Sequence, residues 1–365
     1  MTYKSKFNLY FASTPVQLIC INELRRKDCS ENFKLFFFLR KNSFYANSQM
    51  YLTAELLGFK KYKIYWIPKT RFIRFFNEML FIFNLKLSLK SIIDNQKIHF
   101  VIFDFRSTFL QSLRRYFIRS KFTLIDDGFY TYVAQQNYFK NDIYLPIKNF
   151  QSISGKIAKF LYFGGHYERL KKSPFNLFTI YADEINNKKA QMNNLNYLKE
   201  KIIIKKRKFD QNKVYFIGTG MVERNVATLE QELGLLKKLN LFWQKKGKKL
   251  YYIAKRRTSL EKLKVFQENG ISTIRYDLPL ELVVTEIDDI PVYFCTLGST
   301  LQKSLYLILG NNIKFFYIDF DDFLKKSPEM QSNSYLGDVG FSAAFYAKNS
   351  PNIRVLTYEE IIDKD

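Results

Sequence analysis

Short apolar runs recur along the chain, each followed by a stretch with helical spacing. Phe7–Ala12 reads as a strand, and Ser13-Thr14-Pro15 then supplies a cap and a first-turn proline for a helix over Val16–Arg26. Lys34–Leu39, Tyr62–Ile67, Phe100–Phe103 and Phe122–Ile125 read as further strands, the last two separated by the helical, basic STFLQSLRRYFIRS. A second alternation begins at Val214. Val214–Ile217 is a strand, GTGMVERN a glycine-containing turn, and Val226–Lys246 a helix. Leu250–Ala254, a helix over Leu260–Glu268, Ile271–Arg275, Val292–Phe294 and Ile313–Ile318 complete the set. Alternation of this kind predicts an α/β fold with two parallel sheets, each covered on both faces by helices. The polar segment DEINNKKAQMNNLNYLKEKIIIKKRKFDQNK reads as a connection carrying one helix and one short strand. The expected organisation is therefore a doubly wound domain over 1–182, a polar linker over 183–212 and a second doubly wound domain over 213–365. A C-terminal helix is a candidate to cross back to the first domain, and two such domains imply a ligand cleft between them.

One strand stops at charge. The run Phe122–Ile125 ends at Asp126-Asp127-Gly128 in FTLIDDGFYTYV. The carboxyl end of a strand is where open α/β folds bind ligands. Two adjacent carboxylates repel unless one is protonated or paired. Such a pair suits proton abstraction from a sugar hydroxyl. The same tripeptide also fits a helix cap followed by an Asp-Gly turn.

Composition narrows the class. The chain has 365 residues, 47% hydrophobic and 18% aromatic, which is ample for two packed cores. No basic–apolar–small-residue signal opens it, and no apolar stretch reaches the roughly 18 residues needed to span a bilayer. Met79–Leu89, the longest candidate, is interrupted by Asn84 and Lys86. Cys20, Cys29 and Cys295 are odd in number, widely spaced and without metal-site spacing, which points to a reduced, cytoplasmic protein. Only His99 and His166 are present, which excludes His-rich metal sites. The formal charge of +24 fits an anionic partner, either nucleic acid or an anionic membrane, and fits equally a basic surface that reflects biased codon usage. Lys61–Lys90 interleaves aromatics with Lys and Arg and suits either a membrane interface or a core helix with basic solvent-facing positions.

Three turns in the second half suit phosphate. Gly218-Thr219-Gly220 follows a strand and precedes a helix, so its backbone N–H groups can approach an anion. It lacks the ending of a phosphate loop and the full dinucleotide fingerprint. Lys255-Arg256-Arg257 ends the next strand and suits a diphosphate or a CMP phosphate. Ser299 and Thr300 stand at a strand-to-helix junction, where hydroxyls and N–H groups favour phosphate or carboxylate. Each also reads as an ordinary turn, a solvated charge run or an N-cap. Together they favour a nucleotide-sugar site.

The order of these motifs resembles bacterial sialyltransferases of GT-B architecture, and most closely glycosyltransferase family 52, the lipooligosaccharide sialyltransferases. FASTPVQLICINEL is similar to the family's opening strand and Thr-Pro-Leu-Gln-like helix start, and DDGFYTYV to its acidic-acidic-Gly motif. Gly218-Thr219-Gly220, Pro279 and Glu281 in LPLELVVTE, and Ser299 and Thr300 in LGSTLQKSL look like its later motifs, in the expected order. The family's His-Pro motif, whose histidine supports the departing CMP phosphate, falls near Ala254-Lys255-Arg256-Arg257, where neither residue is present. Glu223 or Met221 stands where the family carries an acid, and His166 in FGGHYERL is read either as a candidate to enter the cleft or as a structural histidine.

The resemblance implies inverting transfer from CMP-sialic acid onto a lipooligosaccharide or capsular glycan, and the lack of a convincing Asp-x-Asp site leads to the expectation that no metal or other cofactor takes part. A UDP-hexose donor is the alternative among related enzymes. Asp127 or Asp126 is the implied base. Gly218, Thr219, Gly220, Glu281, Ser299 and Thr300 are the implied donor contacts, and the charge of Lys255 and Arg256 at their strand end makes those two expected donor contacts as well. The pairs Asp288-Asp289 and Asp321-Asp322 read as loops rather than a sugar-nucleotide metal site. A glycan or glycolipid acceptor, no nucleic acid, and peripheral association with the inner face of an anionic cytoplasmic membrane complete the expectation. The rival is a basic nucleic-acid or membrane-binding protein without catalysis.

Overall fold

The structure, a computed structural model, describes residues 7–29, 31–41, 43–90, 98–146, 152–184, 189–319 and 346–362. The chain divides into two compact units, Met1–Asn193 and Asn194–Asp365.

In the first unit β1 (Phe7–Ala12) leads into α1 (Pro15–Lys27), β2 (Phe33–Leu39) into α2 (Phe44–Leu56), and β3 (Lys63–Trp66) into α3 (Arg71–Ser88). Then follow β4 (Ile98–Ile102), α4 (Thr108–Tyr116), β5 (Lys121–Ile125), α5 (Phe129–Asn137), α6 (Ile153–Phe163), α7 (Tyr167–Lys171), β6 (Asn176–Thr179) and β7 (Ala190–Met192). The strands form one sheet in the order β3-β2-β1-β4-β5-β6-β7, and every pairing is parallel. Central strands β1 and β4 are covered on both faces, which is why they read as unbroken apolar runs rather than alternating ones. Phe11 stacks between Phe36 and Phe100 (5.4 and 6.3 Å between ring centres), and Phe100 stacks on Phe122 at 4.8 Å. The phenylalanine excess thus fills the core across four neighbouring strands. Buried Arg114 closes the long connection before β6, donating to the carbonyls of Tyr144 (2.8 Å), Leu170 (3.0 Å) and Ser173.

The second unit runs α8 (Asn196–Lys205), β8 (Lys208–Ile217), α9 (Leu229–Lys245), β9 (Lys249–Ile253), α10 (Leu260–Glu268) and β10 (Ser272–Ile274). It continues with α11 (Leu280–Glu286), β11 (Asp289–Thr296), α12 (Leu301–Leu309), β12 (Lys314–Ile318), β13 (Ile353–Leu356) and α13 (Tyr358–Ile362). Its sheet order is β10-β9-β8-β11-β12-β13, again parallel at every pairing. Trp243, Phe216, Tyr252 and Phe266 build its core.

Two expectations are corrected. Residues 183–212 are not a linker: β7 adds an edge to the first sheet, α8 packs on α11 and α12, and β8 starts at Lys208. The polar first half of β8 is strand because Asp289–Pro291 pair with it, a long-range contact that hydrophobic spacing does not reveal. The C-terminal helix α13 stays with the second unit, where Ile361 joins the core.

Candidate active site

In the first sheet the strand order reverses between β1 and β4, and the turns leaving strands at such a point flank a ligand crevice. Side chains following β1 and β4 meet there with Asp127, which follows the neighbouring strand β5. Thr14 caps α1 in a capping box: Gln17 N–H donates to Thr14 Oγ1 (3.4 Å), while Gln17 Oε1 accepts from Ser13 N–H (2.7 Å) and Thr14 N–H (3.1 Å). With its oxygen so engaged, Gln17 presents Nε2 to Asp127 and donates to Oδ1 at 3.0 Å. Past β4, Arg106 Nη2 donates to Asp127 Oδ2 at 2.9 Å. The guanidinium is itself aimed by Asp104 Oδ1, 3.1 Å from Arg106 Nε, and by the ring of Tyr130, whose centre lies 4.3 Å from the guanidinium carbon. Asp127 remains partly exposed. Burial and the Asp104 carboxylate raise its pKa to about 6 against the opposing pull of Arg106 and Gln17.

Asp126, the other implied base, has a different place. It is 3% exposed, and its oxygens accept from Thr179 Oγ1 (2.5 Å) and Ile180 N–H (2.9 Å) at the end of β6. Burial pushes its pKa up to about 7 despite these bonds. Asp126 therefore ties β5 to β6, and of the two carboxylates only Asp127 is partly exposed. Gly128 follows at φ 61°, ψ −147°, a region essentially restricted to glycine, and this turn starts α5 directly behind the carboxylate.

In the second sheet the order reverses between β8 and β11, and two of the three anion-friendly turns leave those strands. A Cβ on Gly218 would stand 2.5 Å from Tyr252 Oη, so only glycine lets the chain cross β9 there. Gly218 N–H donates to Ile253 O (3.0 Å), and Lys255 Nζ donates to Thr219 O at 3.4 Å, fastening the end of β9 to the turn. The Thr219 hydroxyl is buried without a hydrogen-bond partner, an uncommon state for a native polar group. Arg256 is half-buried beside Lys255, and Arg257 is exposed.

Behind this turn lies an ion cluster. Lys262 Nζ donates to Glu232 Oε2 (2.7 Å) and to both oxygens of Glu223 (3.2 Å each), while Tyr252 Oη donates to Glu232 Oε1 at 3.1 Å. Glu223 thus braces the glycine turn, whereas Met221 is buried in the core. Past β11, Ser299 and Thr300 precede α12, with Leu301 N–H donating to Ser299 Oγ at 3.4 Å and no side-chain cap from Thr300. Gln302 in the first turn of α12 is 1% exposed, and neither atom of its amide has a partner. Glu281, expected as a donor contact, is buried, accepts from Ser304 Oγ at 3.1 Å and joins α11 to α12.

His99 is buried between Asn8 Oδ1 (3.1 Å) and Thr123 Oγ1 (2.7 Å), and burial lowers its pKa to about 3. It is a neutral structural group. His166 is exposed between α6 and α7. Asp289 is not in a loop but opens β11, and Asp288 pairs with Arg207 at 2.6 Å. Asp321-Asp322 lie outside the described residues. Among the described residues no three His, Cys, Asp or Glu side chains converge to hold a metal ion.

No family model and no curated protein matches the chain. Solved structures similar to it include Acinetobacter baumannii MurG (6% identity, 96% of this chain and 85% of that one, TM-score 0.42). LpCGTa in complex with UDP is similar over 98% of this chain and 86% of that one (9% identity, TM-score 0.48). The E. coli ADP-heptose LPS heptosyltransferase II covers 98% of this chain and 94% of that one (11% identity, TM-score 0.37). At TM-scores below 0.5 none of these transfers a residue role to this chain.

Proposed function

We propose that the chain is a glycosyltransferase of GT-B type that moves a sugar from a nucleotide donor onto a glycan or glycolipid hydroxyl with inversion. The observation that carries this reading is Asp127: a partly exposed carboxylate of raised basicity, oriented by Gln17 and Arg106 where the strand order of its sheet reverses. Its oxygen accepts the proton of the acceptor hydroxyl as the hydroxyl oxygen bonds to the anomeric carbon. The bond from that carbon to the donor phosphate oxygen breaks, and its electron pair leaves with the phosphate. Thr219, Lys255, Arg256, Ser299 and the first turn of α12 supply hydroxyls, N–H groups and cations suited to the negative charge that then develops.

The family resemblance favours CMP-sialic acid as donor. A UDP-hexose is the second reading, favoured by Lys255-Arg256 standing where that family carries a histidine, because two fixed cations suit a diphosphate. Donor consumption with CMP-sialic acid and with UDP-hexoses, each with lipooligosaccharide as acceptor, separates the two. Asp127→Asn is expected to lower transfer by about 10²–10⁴-fold with donor affinity kept. Full transfer by that variant would sink the assignment of the base.

A further inference from the structure

Helix α3 carries two apolar faces. Ile82, Leu85 and Leu89 at its end are buried in the first unit. The opposite face presents Phe72, Phe76, Leu80, Phe83 and Leu87, each more than half exposed and spaced four, four, three and four residues apart. Exposed large side chains scattered singly are ordinary, but five on one helix face are not. The neighbouring helix α6 adds two more apolar residues, Ile157 and Phe160, each more than half exposed. The two helices are joined by a run of ring contacts from Phe72 to Phe76 (4.7 Å), Phe75 (5.7 Å) and Tyr162 (5.3 Å), and by the Tyr162 hydroxyl donating to Glu78.

The exposed charges around this face are predominantly basic. Lys86 and Lys90 on and after α3, Arg119 after α4 and Lys156 on α6 are exposed. From Lys60 to Lys90, from Arg106 to Ser120 and from Ser152 to Lys172 the sequence contains two acids: Glu78, buried and paired with Arg74, and Glu168, exposed beyond α6 and paired with Lys159 at 3.8 Å. No described helix is long and apolar enough to cross a membrane. A second copy of the chain would bring the same positive rim against this one, so self-association is opposed by like charge. An anionic bilayer offers both an apolar interior for the rings and negative headgroups for the rim.

We propose that the exposed face of α3, with the exposed apolar residues of α6, docks the protein on the surface of an anionic lipid bilayer, lying in the interface without spanning it. The inference stands apart from the transfer reaction, because vesicle binding is read without donor or acceptor.

The test is flotation of the full chain with phosphatidylcholine vesicles, with and without phosphatidylglycerol. The wild type is expected to float with phosphatidylglycerol vesicles and to be released by salt, as screening requires. Phe72→Ser/Phe76→Ser/Phe83→Ser is expected to lower the partition coefficient at least about tenfold, as is Lys86→Glu/Lys156→Glu, since each basic residue adds about 1 kcal/mol. All five positions are exposed or on the rim, and the charge variant keeps the test open should the serine variant fold poorly. Unchanged binding by both variants would overturn the proposal. So would a lipid-free dimer that the serine variant dissociates, because that face would then be a self-association surface.

Discussion

The cluster behind the glycine turn yields the sharpest energetic expectation. Lys262 and Glu232 expose 4% and 1% of their side chains, and Glu223 exposes 18%. Replacing Lys262 by methionine preserves most of the side-chain volume but removes the only cation bonded to two carboxylates in the cluster. Breaking a buried pair by deleting one partner costs about 3–5 kcal/mol, and the partial exposure of Glu223 places this case near the lower end, at about 3 kcal/mol. For a unit of this size each kcal/mol lowers the unfolding midpoint by about 2–4 °C, so calorimetry of the full chain should show a drop of about 6–12 °C. Lys262→Met/Glu232→Gln should recover at least half of the loss, because the glutamine is neutral and still offers an oxygen to Tyr252 Oη. A single variant within about 2 °C of wild type, or a double variant no better than the single, would refute the view that the cluster is a charge-balanced brace.

Other expectations follow from the same geometry. Gly218→Ala drives a Cβ to 2.5 Å from Tyr252 Oη and should destabilise by about 1–3 kcal/mol in urea unfolding while weakening donor binding. Asp126 has a folded pKa of about 7, above its unfolded value of 3.8, so it binds more protons folded than unfolded. Its contribution is therefore fully present below about pH 4 and lost as pH rises through 7, by up to about 4 kcal/mol, and Asp126→Asn should flatten that slope of stability against pH. Cys20 and Cys295 are buried and Cys29 is exposed, with burial pushing the Cys295 thiol well up. Iodoacetamide should add one label to the native chain and three after denaturation, as counted by mass spectrometry.

Much of the fold was legible because parallel strands covered on both faces read as apolar runs. Phe7–Ala12 and Leu260–Glu268 fall at the predicted bounds. What escaped was short or paired at long range: β6, with four residues, and β13, which has only β12 as a neighbour. At the site, Asp127 and the glycine turn were visible as breaks at strand ends. Gln17 stood in the quoted helix start, but its bond to Asp127 spans 110 positions and leaves no local pattern. Arg106 was missed although Asp104-Phe105-Arg106 follows a strand next to β5, a charged pair at the same kind of strand end. The roles of Asp126 and Glu281 depended on burial, which residue type alone does not disclose.

The amide of Gln17 has one further use. Because its oxygen is held by two backbone N–H groups, the side chain cannot flip when Asp127 changes charge, and its NH₂ group stays aimed at the carboxylate. Selective ¹⁵N labelling of glutamine would turn that group into a resident spectroscopic probe. Its resonance should move as Asp127 takes up a proton, so the ionisation of one carboxylate among many acids becomes readable in the resting protein, before any substrate has been identified.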